Sequence, residues 1–268
     1  MRSVGLPESG GASRWPAWFG FAGLIMGFGA AFLASALLAA VPGGYTEGEG
    51  LSPAAALAAS VVQDVALVAG AVWLAARVAR PTPGQFGLRP VTLGRAAAGL
   101  FAALVVFYGL SGLYSVVLEP QGEQDVLETL GAGRGGAYLV ASALMVMVLA
   151  PVAEEVFFRG FLYRGLRNRF SVAGASAVIA LIFGSIHYSG PDTLALLPVL
   201  ALLGVIFCLL YEWTGSLYPV IALHAINNAA AFAVSDQGGA ALGAAVGVVV
   251  VAACAVAGIR RRPVISPG

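Results

Sequence analysis

Glu154 and Glu155, then Arg159 four positions on, then His187, then His224 and Asn228 again four apart, put acids, bases and hydrogen-bond donors inside otherwise apolar sequence. Each charged group at a helix centre in lipid costs about 2.5–3.5 kcal/mol on insertion scales, so such residues are usually functional or paired. Glu155 and Arg159 share a helix face at i,i+4, and an internal ion pair offsets part of that cost. Glu154 points about 100° away and lacks this partner. A carboxylate in a poorly solvated site suits the work of a general base. The bland alternative is that both acids sit at a helix end among lipid headgroups, with Arg159 snorkelling outward. A lone histidine in an apolar helix is more often structural, but here both histidines of the chain lie in apolar segments beside a glutamate pair.

These residues require a membrane scaffold to position them. Of 268 residues, 59% are hydrophobic and 10% charged, against roughly 25% charged in a soluble domain. The apolar residues fall in long blocks without a 2- or 3.6-residue alternation. A soluble globule is excluded, and the expected class is an all-α polytopic integral membrane protein of about eight transmembrane helices. At about 20 apolar residues per crossing, the spans are 17–41, 54–76, 94–118, 136–158, 172–189, 193–212, 216–235 and 239–259. The first greatly exceeds the roughly 7–15 residues of a signal-peptide core, so a retained helix is expected. The expected organisation is a cytoplasmic tail over 1–16, one transmembrane domain over 17–259 with its catalytic core at about 136–235, and a second tail over 260–268. A net charge of +1 without a concentrated basic face argues against nucleic acid as a partner. Cys208 and Cys254 lie in apolar segments, which supports neither a disulfide framework nor a cysteine metal site.

Arginine placement orients the helices. Arg2 and Arg14, then Arg77, Arg80, Arg89 and Arg95, then Arg164, Arg167 and Arg169, and finally Arg260, Arg261 and Arg262 fall on one side of an eight-span count. The other side carries Glu47, Glu49, Glu119, Glu123, Asp125, Glu128, Asp192 and Asp236, with Arg134 the single exception. The positive-inside rule puts both termini in the cytoplasm, in a multi-pass protein of the cell membrane.

Depth brings the polar residues together. Glu154 lies 16 positions before Phe170 and His187 lies 16 after Ser171, so both stand about 24 Å from a hairpin turn capped by Ser171. His224 is about 12 Å into a helix starting near Ser216, with Asn228 one turn deeper on the same face. Pro151 removes a helix bond to the carbonyl of Met147, and a kink there would open a cavity at the carboxylates.

The three segments resemble the signature of the CPBP intramembrane protease family, also called the Abi or CAAX-protease family, which includes type II CAAX prenyl endopeptidases. That pattern is Glu-Glu-x-x-x-Arg, Phe-x-x-x-His and His-x-x-x-Asn on successive membrane helices. Here it stands, without departure, as Glu154-Glu155-…-Arg159, Phe183-…-His187 and His224-…-Asn228. The resemblance implies an intramembrane endopeptidase acting on membrane-associated peptides or proteins. In it, Glu154 and His187 activate water and His224 and Asn228 stabilise the oxyanion. Glu155 with Arg159 gives support behind the site, and Phe183 packs beside it. Two His and a Glu also suit zinc, whose ligands would then be Glu154, His187 and His224. The family is described both as metalloproteases and as glutamic proteases, and the donors on the His224 helix favour water activation without a metal. No other cofactor is implied.

Two further readings come from other classes. Asp64, beside Gln63 in the second span, is an acid the signature leaves unexplained, and a proton-coupled transporter would use such a group in a relay. Its structural alternative is a hydrogen-bonded contact between helices. A transporter would also show repeat symmetry and paired broken helices, and the sequence has neither. A non-catalytic immunity or scaffold protein could keep the fold, although the intact signature argues against it.

Overall fold

A computed structural model describes residues 15–48, 50–119, 126–236 and 238–259. Arg2, Arg14, Glu49, Glu123, Asp125, Arg260, Arg261 and Arg262, with nearly all of both expected tails, lie outside the described residues. The eight apolar segments are all helical: α1 (Trp18–Ala39), α2 (Pro53–Ala76), α3 (Leu93–Leu118), α4 (Gly136–Leu166), α5 (Val172–Ser185), α6 (Leu197–Thr214), α7 (Leu217–Val234) and α8 (Ala240–Gly258). A two-residue hairpin, β1 (Tyr45–Thr46) with β2 (Gly50–Leu51), closes the α1–α2 connection. Among the described residues, seven helices are long and apolar enough to cross a bilayer, so the chain is an all-α multi-pass membrane protein. The eighth, α5, is apolar but only 14 residues long.

Two boundaries have physical reasons. The fourth apolar span was bounded at 158 with its helix expected to run on towards a turn at Phe170-Ser171, and α4 does continue, to Leu166. Arg159 and the residues from Val156 to Tyr163 are buried in the protein rather than set among headgroups, so the charge does not end the helix. The fifth span was expected to carry His187 within it, yet α5 stops at Ser185. The His187 amide then donates to Gly184 O (3.2 Å) and the imidazole Nδ1 meets Phe183 O (2.6 Å), capping the last carbonyls before Gly190-Pro191.

Local chemistry sets the other ends. Ser171 Oγ accepts from the Gly174 amide (3.2 Å), so the expected serine cap is present, and Ser216 Oγ accepts from the Tyr218 amide (3.3 Å) at the start of the helix expected there. The arginine-bearing connections meet on one face. Trp15 Nε1 donates to Phe161 O (2.9 Å) and Asn168 Nδ2 to Trp15 O (3.1 Å), which ties the start of α1 to the end of α4. Ser216 Oγ donates to Arg89 O (2.6 Å), the Val91 amide donates to Gly258 O (2.7 Å), and Arg164 donates to Gln85 O. Arg167 Nε reaches Glu212 Oε1 (2.6 Å), joining the end of α4 to the end of α6. The α2–α3 loop thus lies against the same end of the bundle as the ends of α4, α6 and α8.

The core forms around α4. Phe157, Phe158, Phe161, Phe183 and Phe207 are fully buried together, while α1 and α3 expose most of their apolar surface, as helices facing lipid do. Gly160 lets α4 pass the α2–α3 loop closely, since a Cβ there would stand 2.6 Å from Phe86 O.

Candidate active site

Helix α4 is not a regular α-helix. A π-helical turn over Met145–Leu149 precedes one short α segment, Ala150–Glu155, and a second π-helical stretch, Val156–Tyr163, follows it. Such wide turns gather at functional positions because they leave backbone groups to be satisfied from elsewhere. In an α-turn the Ala150 amide would bond Val146 O, but here it reaches back to Met145 O. The donor due to Val146 O in the π register is Pro151, which has no N–H. Asn228 Nδ2 supplies the bond instead, at 2.8 Å. The sequence, counted in α register, assigned the lost bond to Met147; the π turn moves it to Val146, where the next functional helix fills it.

The adjacent glutamates have opposite environments. Glu155 is fully buried, and its Oε1 accepts from Arg159 Nη1 at 2.8 Å and from His224 Nδ1 at 2.9 Å. Arg159, also fully buried, donates from Nη2 to Gly204 O (3.2 Å) and lies 4.7, 4.8 and 5.8 Å from the ring centroids of Phe183, Phe207 and Phe158. The cation is therefore held by one carboxylate, one carbonyl and three aromatic rings. Gly204 permits this approach, because a Cβ there would already be 3.3 Å from the backbone of Ala180. Glu154, one residue earlier, faces a cavity of about 360 Å³, and its buried Oε2 has no hydrogen-bond partner.

The same cavity is lined by Phe183, His187, His224 and Asn228. A carbonyl can only accept, so the Phe183 O contact fixes the proton of neutral His187 on Nδ1 and leaves Nε2 as the lone-pair atom. His224 is likewise held at Nδ1 by Glu155, which leaves its Nε2 for other partners. The Phe183 ring lies 4.8 Å from the His187 ring and 6.1 Å from that of His224, spacing the two imidazoles. All six polar residues singled out from sequence thus converge, with Glu154, His187, His224 and Asn228 on the cavity wall and Glu155 and Arg159 behind it.

Residues 136–230, the stretch that carries every one of these groups, match the family model for type II CAAX prenyl endopeptidase Rce1-like proteins. That match supports membership of the CAAX protease family. No curated protein and no solved structure matches the chain. The family match supports, in general terms, a CAAX-protease-like hydrolase of the intramembrane endopeptidase kind.

The site does not present a metal centre in the form considered from sequence. Glu154, His187 and His224 share a cavity, but among the described residues no three His, Cys, Asp or Glu side chains are gathered closely enough to hold a metal ion. The donors as placed do not fit zinc, and Glu155, not Glu154, is the carboxylate bonded to His224.

Sequence reading missed two contributors. Asn227 lines the cavity beside Asn228 and donates from Nδ2 to Asn228 Oδ1 (3.4 Å). Helix α2 contributes Ser60, Gln63 and Asp64, a polar face at i, i+3 and i+4 in an apolar helix. That spacing was visible in the sequence, whereas the side of the bundle it faces was not.

Proposed function

We propose that this chain hydrolyses peptide bonds of membrane-associated proteins or peptides inside the bilayer of the cell membrane, with its arginine-bearing face and both termini in the cytoplasm. The observation that carries the reading is the asymmetry of the glutamates. Each has an Oε2 without a hydrogen-bond partner, but Glu155 is bound through Oε1 to Arg159 and His224 behind the cavity wall, while Glu154 lines the cavity with two histidines.

In the scheme this supports, water sits between Glu154 and His187, and His187 Nε2 orients it by accepting a hydrogen bond. Glu154 takes one proton as the water oxygen bonds to the substrate carbonyl carbon. The carbonyl oxygen becomes an oxyanion, which donors from α7 stabilise in a poorly solvated site. To donate from Nε2 while Nδ1–H is held by Glu155, His224 carries both protons, with Glu155 as the adjacent anion. Asn228 anchors α7 to the π turn of α4 with one amide hydrogen and has a second for the oxyanion. Collapse of the tetrahedral intermediate breaks the C–N bond, and the proton on Glu154 passes to the leaving nitrogen. No step runs through a metal.

The test is cleavage of a membrane-tethered peptide library by purified, reconstituted protein, comparing the wild type with Glu154→Ala and His187→Ala. The expected result is cleavage by the wild type and loss of about 10²-fold or more in each variant. Equal cleavage by all three would overturn the assignment of these residues.

A further inference from the structure

Asp64 has no place in the scheme above, yet it faces the same cavity as Glu154. Only 2% of the residue is exposed, and its Oδ2 has no hydrogen-bond partner. The sequence left open a proton relay or a contact between helices, and the structure shows a carboxylate whose Oδ2 makes neither kind of bond. Ser60 and Gln63 stand beside it on the same helix face and also line the cavity. Ser60 is turned back on its own helix, donating to Ala56 O (2.9 Å).

The charge around this group is one-sided. The described cavity wall contains Asp64 and Glu154, three carboxamides, His187, and His224, whose charge in the scheme above is matched by Glu155, but no arginine, and the chain has no lysine. The nearest buried cation, Arg159, is held by Glu155, Gly204 O and three aromatic rings. A carboxyl group taken out of water without a counter-ion either holds a proton or draws the missing charge from a ligand. We infer that Asp64 is a specificity residue, which selects substrates carrying a lysine or arginine side chain close to the scissile bond. The inference deepens the proposed peptidase reading and rests on it for the nature of the substrate. The substrate cation enters the cavity, meets Asp64 on α2, and places the neighbouring peptide bond opposite Glu154 on α4. Selectivity follows because a neutral side chain of equal length leaves the Asp64 carboxylate unpaired.

The test uses the full-length protein in nanodiscs and two membrane-tethered peptides that differ only in lysine against norleucine beside the scissile bond. Equilibrium binding and cleavage are both measured for the wild type, Asp64→Asn and Asp64→Glu. Asp64→Asn keeps the side-chain shape and removes the charge, and thermal melting checks that it folds. The wild type is expected to bind the lysine peptide about tenfold more tightly. Asp64→Asn should lose that preference with norleucine binding unchanged, and Asp64→Glu should retain part of it. Binding separates this inference from the catalytic one. If neither peptide is cut while lysine preference still depends on Asp64, the hydrolytic scheme falls and the recognition role stands. A lysine preference unchanged in Asp64→Asn overturns the inference, as does equal weakening of both peptides. So does loss of turnover on both peptides with binding intact, the signature of a proton-transfer role.

Discussion

Truncating either of two neighbouring glutamates to alanine should yield opposite phenotypes. Removing Glu155 leaves Arg159 fully buried without its counter-ion and takes the acceptor from His224 Nδ1. Breaking a buried pair by deleting one partner costs about 3–5 kcal/mol. At about 2–4 °C per kcal/mol for a chain of this size class, the melting temperature should fall on the order of 10 °C. Gly204 O and the three rings remain to hold the guanidinium, which places the loss nearer the lower end. Glu154 Oε2 has no partner to strand, so Glu154→Ala should move stability by less than about 1 kcal/mol while cutting turnover by about 10²–10⁴-fold. Glu155→Gln keeps an acceptor oxygen for both partners and should melt between the wild type and Glu155→Ala. The assay is thermal melting in detergent micelles followed by size exclusion, with turnover of a tethered peptide measured on the same preparations. Equal melting of the two alanine variants would refute the division of labour, as would a Glu154→Ala enzyme that keeps its rate.

Three further outcomes follow from individual contacts. Asn228→Ala leaves Val146 O without a donor and should cost about 1–3 kcal/mol; adding Pro151→Ala returns a backbone N–H to that carbonyl and should recover part of the melting temperature but not the activity. Gly160→Ala forces a methyl to within 2.6 Å of Phe86 O and should destabilise by about 1–3 kcal/mol, read as a lower melting temperature. Val126, Leu127, Leu130 and Ser235 line the cavity from connections opposite the arginine-bearing face, so Ser235→Cys in sealed vesicles should react with an impermeant maleimide from that side, and labelling from the arginine side alone would contradict this placement.

Much of this fold was legible because lipid imposes a simple rule on composition. Long uncharged blocks marked eight helices, Ser171 announced a cap that the structure contains, and Ser216 the start of a helix. The spacing of Glu155 and Arg159 foretold their ion pair. What composition did not reveal was where charge is hidden by protein instead of water. Snorkelling of Arg159 stayed open in the sequence because the aromatic partners that bury it come from α5 and α6, through Phe183 and Phe207, as well as from Glu155 on α4. The His224 contact to Glu155 crosses 69 residues of sequence, and no local periodicity encodes it. The π turns escaped because they depend on tertiary donors such as Asn228, and Asp64 was visible as an anomaly without a direction.

The shortness of α5 makes the surrounding lipid a component of the site. Fourteen residues rise about 21 Å, against about 30 Å of hydrocarbon, and His187 stands at the end of that short helix. The bilayer meets such a mismatch by dimpling inward, which costs fractions of a kcal/mol per ångström and brings headgroups and their water closer to the histidine. Acyl-chain length therefore acts on hydrolysis as a second reactant concentration would. Short-chain lipids supply water to the reaction, and long-chain lipids starve it.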